Sequence, residues 1–181
     1  MNPSPTAAPL GFLTCTEFDG WGLCGGLLLL NQMARPLEFH CTLPVKVSRT
    51  QIILYGSSMR AHICGQVIGK ALLEKAKSRP GLVITDCPET ATMREESDLP
   101  LALIAASGQQ STTETTNSGE VLNIGRFQVY LTLPSEQDRE PLRQRLRREL
   151  ASFAEKFDLD EPFERVRQAM TEARDAALRA A

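Results

Sequence analysis

From Leu23 to Leu30 the chain reads Leu-Cys-Gly-Gly-Leu-Leu-Leu-Leu, apolar or glycine at every position. This run is far shorter than the ~20 residues a membrane span requires. Apolar residues on both alternating sets of positions, rather than on one, mark a central strand covered on both faces. Flanking strands and two covering layers must therefore come from the rest of the chain. The neighbouring sequence offers the strands. Leu10 to Glu17 is compatible with a strand, and Phe18-Asp19-Gly20-Trp21-Gly22 reads as a turn. Asn31 to Arg35 is a short connection. From Pro36 to Leu43 the pattern alternates, with Leu37, Phe39, Cys41 and Leu43 on one side and Glu38, His40 and Thr42 on the other. A three-stranded antiparallel meander is the economical arrangement.

Helical signals follow. Ser48 and Gln51 fit a capping box ahead of Ile52 to Tyr55, and Gly56 suits a helix stop. A second helix starts near Ser57 or Ser58, with a stripe of Ile63, Val67, Ile68, Ala71, Leu72 and Ala76, and ends before Pro80. Gly65 and Gly69 on it suit close packing on the sheet. Gly81 to Asp86 reads as a strand, one limb of a β-α-β crossover. A short helix is expected over Pro88 to Glu96 and a strand over Leu99 to Ala106. Residues 107–120, rich in Ser, Thr, Gln and Gly, are expected to be a mobile loop joining that strand to another at Gly125 to Leu133. Two amphipathic helices close the chain. Their stripes are Leu142, Leu146, Leu150, Phe153 and Phe157, then Phe163, Val166, Met170, Ala173 and Ala177. They predict an αα-hairpin packed mainly through its own two stripes.

The expected fold is α+β (mixed α/β), with a central sheet of five to six strands beginning with the meander. Residues 1–9 form a disordered tail, 10–134 a core domain, and 135–181 the helical hairpin. Twenty basic against 22 acidic residues exclude a polybasic protein. No segment reads as a signal peptide or membrane span, so the expected setting is cytoplasmic. The five cysteines, at positions 15, 24, 41, 64 and 87, are odd in number, widely spaced and without C-x-x-C. They read as free, mostly buried thiols.

Gly25 to Asn31, Arg35 to Thr42, Ile53 to Gly56 and Ile68 to Ala76 resemble an uncharacterised, planctomycete-like family of bacterial proteins. The resemblance implies a bacterial intracellular setting and adds no catalytic residue. The order of elements also resembles ribonuclease H-like domains. That likeness implies carboxylates on the first and fourth strands holding divalent metals. Asp86, ending the fourth strand, matches one of these. Glu17 at the end of the first strand stands for the other, with Asp19 already in the turn.

Four places carry possible chemistry. Glu38 and His40 project from one sheet face, where a carboxylate can orient an imidazole, or the two form a solvated polar pair. His40, Cys41, His62, Cys64 and Cys87 are the right types for zinc, but their local spacing does not converge them. Asp86-Cys87-Pro88-Glu89 follows a strand at the sheet edge where ligands usually bind, or is a tight turn capped by Asp86. Between Asp138 and Glu149, five arginines (Arg139, Arg143, Arg145, Arg147 and Arg148) stand against three acids, which reads as a salt-bridged surface.

No complete catalytic constellation is visible. The preferred reading is a non-catalytic interaction or assembly module without a cofactor. It engages a protein partner, or a second copy, through the C-terminal helices. Nucleic acid is a disfavoured but open partner. The alternative is a metal-dependent phosphodiester hydrolase using magnesium or manganese, with Asp86 and Glu17 as metal ligands and Asp86, Glu38, His40 and Glu17 as the catalytic candidates.

Overall fold

The computed structural model describes residues 8–95, 97–106, 120–133 and 139–180. Strands β1 (Leu10–Phe18), β2 (Gly22–Leu30) and β3 (Pro36–Cys41) form the expected meander. β1 pairs antiparallel with β2 from Leu10↔Leu30 to Phe18↔Gly22. The β1–β2 turn requires glycine at its end. Gly22 sits at φ 117°, and a Cβ there would lie 2.7 Å from the Val45 carbonyl oxygen.

The apolar run is central, as its composition requires. A Cβ on Gly25 would lie 2.1 Å from Ile68 Cγ2, and one on Gly26 would lie 2.4 Å from Val166 Cγ1. The adjacent glycines thus let a helical layer approach closely on each face of β2.

On the first face, α1 (Arg49–Tyr55) starts at the Ser48–Gln51 capping box. A 3-10 turn follows, then α2 (Met59–Ala61), a π-helical stretch (His62–Gly69) and α3 (Lys70–Lys75). β4 (Leu82–Thr85) lies parallel to β1, with Leu13 level with Thr85. A 3-10 segment (Pro88–Glu95) leads towards β5 (Leu101–Ala106), which is parallel to β4. Gly65 and Gly69 pack on this 3-10 segment rather than on the sheet. Cβ atoms there would lie 2.0 Å from Thr92 Oγ1 and 2.7 Å from Met93 Sδ.

β6 (Glu120–Ile124) and β7 (Phe127–Thr132) complete a seven-stranded sheet of order β3-β2-β1-β4-β5-β7-β6. The fold is the expected mixed α+β type, with seven strands instead of five to six. The unexpected strand is β6. It directly follows the polar stretch and exposes Val121, so its apolar signal is short. β7 lies beside β5, as neighbours across a loop should. The expected mobile loop over 107–120 falls outside the described residues except for Glu120, which opens β6. Residues 1–7 of the expected tail are likewise outside, while the Pro9 carbonyl accepts from the Gly81 N–H.

α4 (Arg139–Ala154) and α5 (Glu161–Ala180) cover the other face. Leu146, Leu150, Phe153, Phe163, Val166 and Met170 share one core with Phe12, Leu28, Ile84 and Val129 from the sheet. The Phe12 ring lies 5.6 Å from that of Phe153 and 5.4 Å from that of Phe163. The hairpin therefore buries its stripes on the sheet instead of mainly on each other. β1, β2 and β4 present an apolar face there, with Leu10, Phe12, Leu28, Leu30, Leu82 and Ile84 all buried. Among the described residues, no helix is long and apolar enough to cross a membrane.

Candidate functional site

β1 and β4 are parallel, so their C-terminal ends open at the same edge of the sheet. Side chains beyond the Leu13↔Thr85 pair alternate between faces. Thr14 and Asp86 reach the α5 side, whereas Cys15 and Cys87 reach the side of the π-helical stretch.

On the α5 side, the Asp86 carboxylate pairs with the Arg167 guanidinium. Burial raises its carboxyl above the ordinary range, and Thr14 and Arg167 oppose that without cancelling it. The first-strand residue facing Asp86 is thus a hydroxyl, and the cation beside it belongs to the protein.

On the other side, the thiol sulfurs of Cys15, Cys64 and Cys87 lie within 4.8 Å of one another. Cys15 is half-buried; Cys64 and Cys87 are buried. Each comes from a different element: β1, the π-helical stretch and the exit of β4. The Cys87 backbone is fixed by Thr85 Oγ1, which accepts from its N–H at 3.1 Å, and by Thr90 Oγ1, which donates to its carbonyl at 2.7 Å. Hydrogen bonds from Cys15 and then Cys87, helped by the charge of Arg60, lower the Cys64 thiol. Cys15 is pushed up by its hydrogen bonds to Cys64 and Cys87 and by burial.

A polar chain leads outwards from these thiols. Cys87 Sγ donates to Glu89 Oε2 at 3.1 Å, and Glu89 Oε1 accepts from Arg60 Nε at 3.0 Å. Arg60 Nη1 donates to Glu17 Oε2, also at 3.0 Å. Burial raises the Glu89 carboxyl above its ordinary range. Beside Glu17 and Arg60 lies an open cleft of about 500 Å³, lined also by Phe18, Trp21, Lys46 and Met59.

The other sequence-derived candidates sit elsewhere. Glu38 and His40 do pair on edge strand β3, at 2.9 Å. The same carboxylate accepts from the Lys77 and Ser78 N–H groups, both at 2.8 Å, so it clamps the chain after α3. Ser78, then His40 and Lys77, hold Glu38 down to about 2. His62 bonds Gln66 at 2.7 Å and stacks on Tyr55. Glu17 and Asp86, expected to share a metal, are on opposite faces.

Of the five residues considered for zinc, Cys64 and Cys87 meet, and their third partner is Cys15. Sequence reasoning missed Cys15 because local spacing does not report contacts between β1 and the residue after β4. Continuing the Leu13↔Thr85 register by two residues brings Cys15 to Cys87, a relation that no local sequence signal carries.

A hard dication such as magnesium or manganese takes oxygen ligands. The thiol trio offers none. Among the described residues, the thiol trio is the one set of three His, Cys, Asp or Glu side chains that converges closely enough to hold an ion. Such a sulfur set suits soft or borderline metals. The trio also corrects the expectation that the chain carries no cofactor, since its geometry is that of a ligand set.

No family model matches the sequence, and no curated protein matches it, so the resemblance to a bacterial family finds no support there. Among solved structures, the chain is similar to the catalytic domain of human endonuclease V. The TM-score is 0.53 at 15% identity, over 96% of this chain and 84% of that one. A second structure, of human ENDOV, superposes with a TM-score of 0.45 at 14% identity, over 98% and 88%. The first likeness establishes a shared fold and no activity.

Proposed function

We propose that the chain is a phosphodiester hydrolase acting on nucleic acid at the corner formed by Arg60, Glu89 and the thiol trio. The observation that carries this reading is the unbroken chain Cys87–Glu89–Arg60–Glu17, which runs from the buried sulfurs to the open cleft at the C-terminal edge of β1 and β4. The nuclease fold of the endonuclease V catalytic domain supports it. Arg60 brings a charge-assisted donor for a phosphate oxygen to the edge of the cleft. Glu89, with a raised carboxyl, is suited to take a proton from the attacking water. Trp21 supplies a ring on which a base stacks, and Lys46 supplies charge for the backbone.

Labelled single- and double-stranded DNA and RNA, incubated with the purified chain, test the reading. Cleavage is expected, and Glu89→Gln should slow it about 100-fold, the usual range for a lost general base. Cleavage that Arg60→Ala and Glu89→Gln leave unchanged would refute the assignment. One observation favours a second reading, a non-catalytic module: Arg167 already neutralises Asp86, the acid that ends β4. Binding of nucleic acid or protein without cleavage would favour that reading instead.

A further inference from the structure

We propose that Cys15, Cys64 and Cys87 bind a thiophilic metal ion, zinc(II), through three thiolates, with the fourth position facing Glu89. Tetrahedral zinc with sulfur ligands at ~2.3 Å sets neighbouring sulfurs about 3.8 Å apart. The three sulfurs, within 4.8 Å of one another, are close to that spacing before any ion is placed. The spacing survives because three separate packed elements hold the sulfurs: β1 by its pairing with β2 and β4, the π-helical stretch by its packing, and Cys87 by Thr85 and Thr90.

A purely apolar role for the thiols leaves the Glu89 carboxylate against Cys87 Sγ without purpose. A disulfide between two of them would strand the third. Three protein ligands with one position left to water is the pattern of sites that act on substrates. Binding releases protons from the thiols that enter as ligands. This inference does not depend on hydrolysis: a chain that binds the metal and cleaves nothing would keep it and lose the proposed function.

Cobalt(II) titration of the reduced, metal-free full chain tests the site directly, because thiolate ligands give an intense charge-transfer band and tetrahedral coordination gives strong visible bands. Both are expected, saturating at one cobalt per chain and abolished by zinc. Cys64→Ser should weaken binding at least about 100-fold. Cys24→Ser and Cys41→Ser should leave it unchanged, since those thiols lie outside the trio. Glu89→Gln should retain the thiolate band. Because the titration of the unsubstituted chain is decisive by itself, a Cys64→Ser chain that fails to fold does not obscure the answer. Absence of a charge-transfer band at saturating cobalt, or an undiminished band in folded Cys64→Ser, would overturn the proposal.

Discussion

Asp86 and Cys87 are adjacent in sequence and serve opposite faces of the sheet, so one step of strand alternation separates an ion pair from a thiol cluster. Asp86 depends on Arg167. Arg167→Met should leave a mostly buried carboxylate without its cation and cost about 1–3 kcal/mol. Adding Asp86→Asn should recover most of that, as urea denaturation of the two variants would show. Recovery of nothing would mean that Arg167 stabilises through its contacts with Glu164 or α5 alone. Glu38 offers a pH test. Its carboxyl lies at about 2 in the folded chain against an ordinary 4.5. A lowered folded value means that the contribution is present above pH 4.5 and is lost as pH falls from 4.5 towards 2. Glu38→Gln should therefore destabilise the chain at neutral pH and approach the parent's stability within that acid window. Urea midpoints across the range would read it, and a gap that stays constant with pH would contradict the assignment.

Among the elements, the π-helical stretch His62–Gly69 connects packing to the site. It carries Cys64, and its neighbour Gly65 lets the 3-10 segment Pro88–Glu95 lie close against it. A Cβ on Gly65 would meet Thr92 Oγ1 at 2.0 Å and the Met93 backbone nitrogen at 2.8 Å, and a backbone atom cannot rotate away. Gly65→Ala should cost about 1–3 kcal/mol. It should also make Cys64 react faster with an alkylating reagent, because the two segments that hold Cys64 and Cys87 are forced apart. A melting curve and a thiol-modification time course check both. Unchanged alkylation in a destabilised variant would mean that the trio does not depend on this contact. The same element shows what the sequence revealed. Ser48 and Gln51 announced their helix, and the alternation from Pro36 to Cys41 announced β3, because each signal is complete within a few residues. Cys15, Cys64 and Cys87 were separately visible, yet nothing local records that they meet. Their convergence depends on which strand β4 chooses as its parallel neighbour. Gly65 is legible as a close-packing residue, but its partner is Thr92 instead of the sheet, set by the path of the chain after β4.

For the molecule as a whole, the question is whether the C-terminal helices are an appendage or half of the core. Their stripes were legible from Leu142 to Met170 by periodicity alone, but periodicity does not say what a stripe faces. Phe12, in the middle of β1, answers it. Its ring meets Phe153 of α4 at 5.6 Å and Phe163 of α5 edge-on at 5.4 Å, and all three are buried. Sheet and hairpin should then unfold together. Phe153→Ala removes a large buried ring from this junction and should cost roughly 3–5 kcal/mol. The sole tryptophan, Trp21, makes the cooperativity measurable. It lies at the β1–β2 turn and packs against the same core, so its fluorescence reports the sheet while far-ultraviolet circular dichroism reports the helices. The two denaturation curves should coincide in the parent chain and shift together in Phe153→Ala. A helical signal lost at lower denaturant than the fluorescence change, in the parent chain, would show that the hairpin is a separate unit and that the junction at Phe12 contributes little.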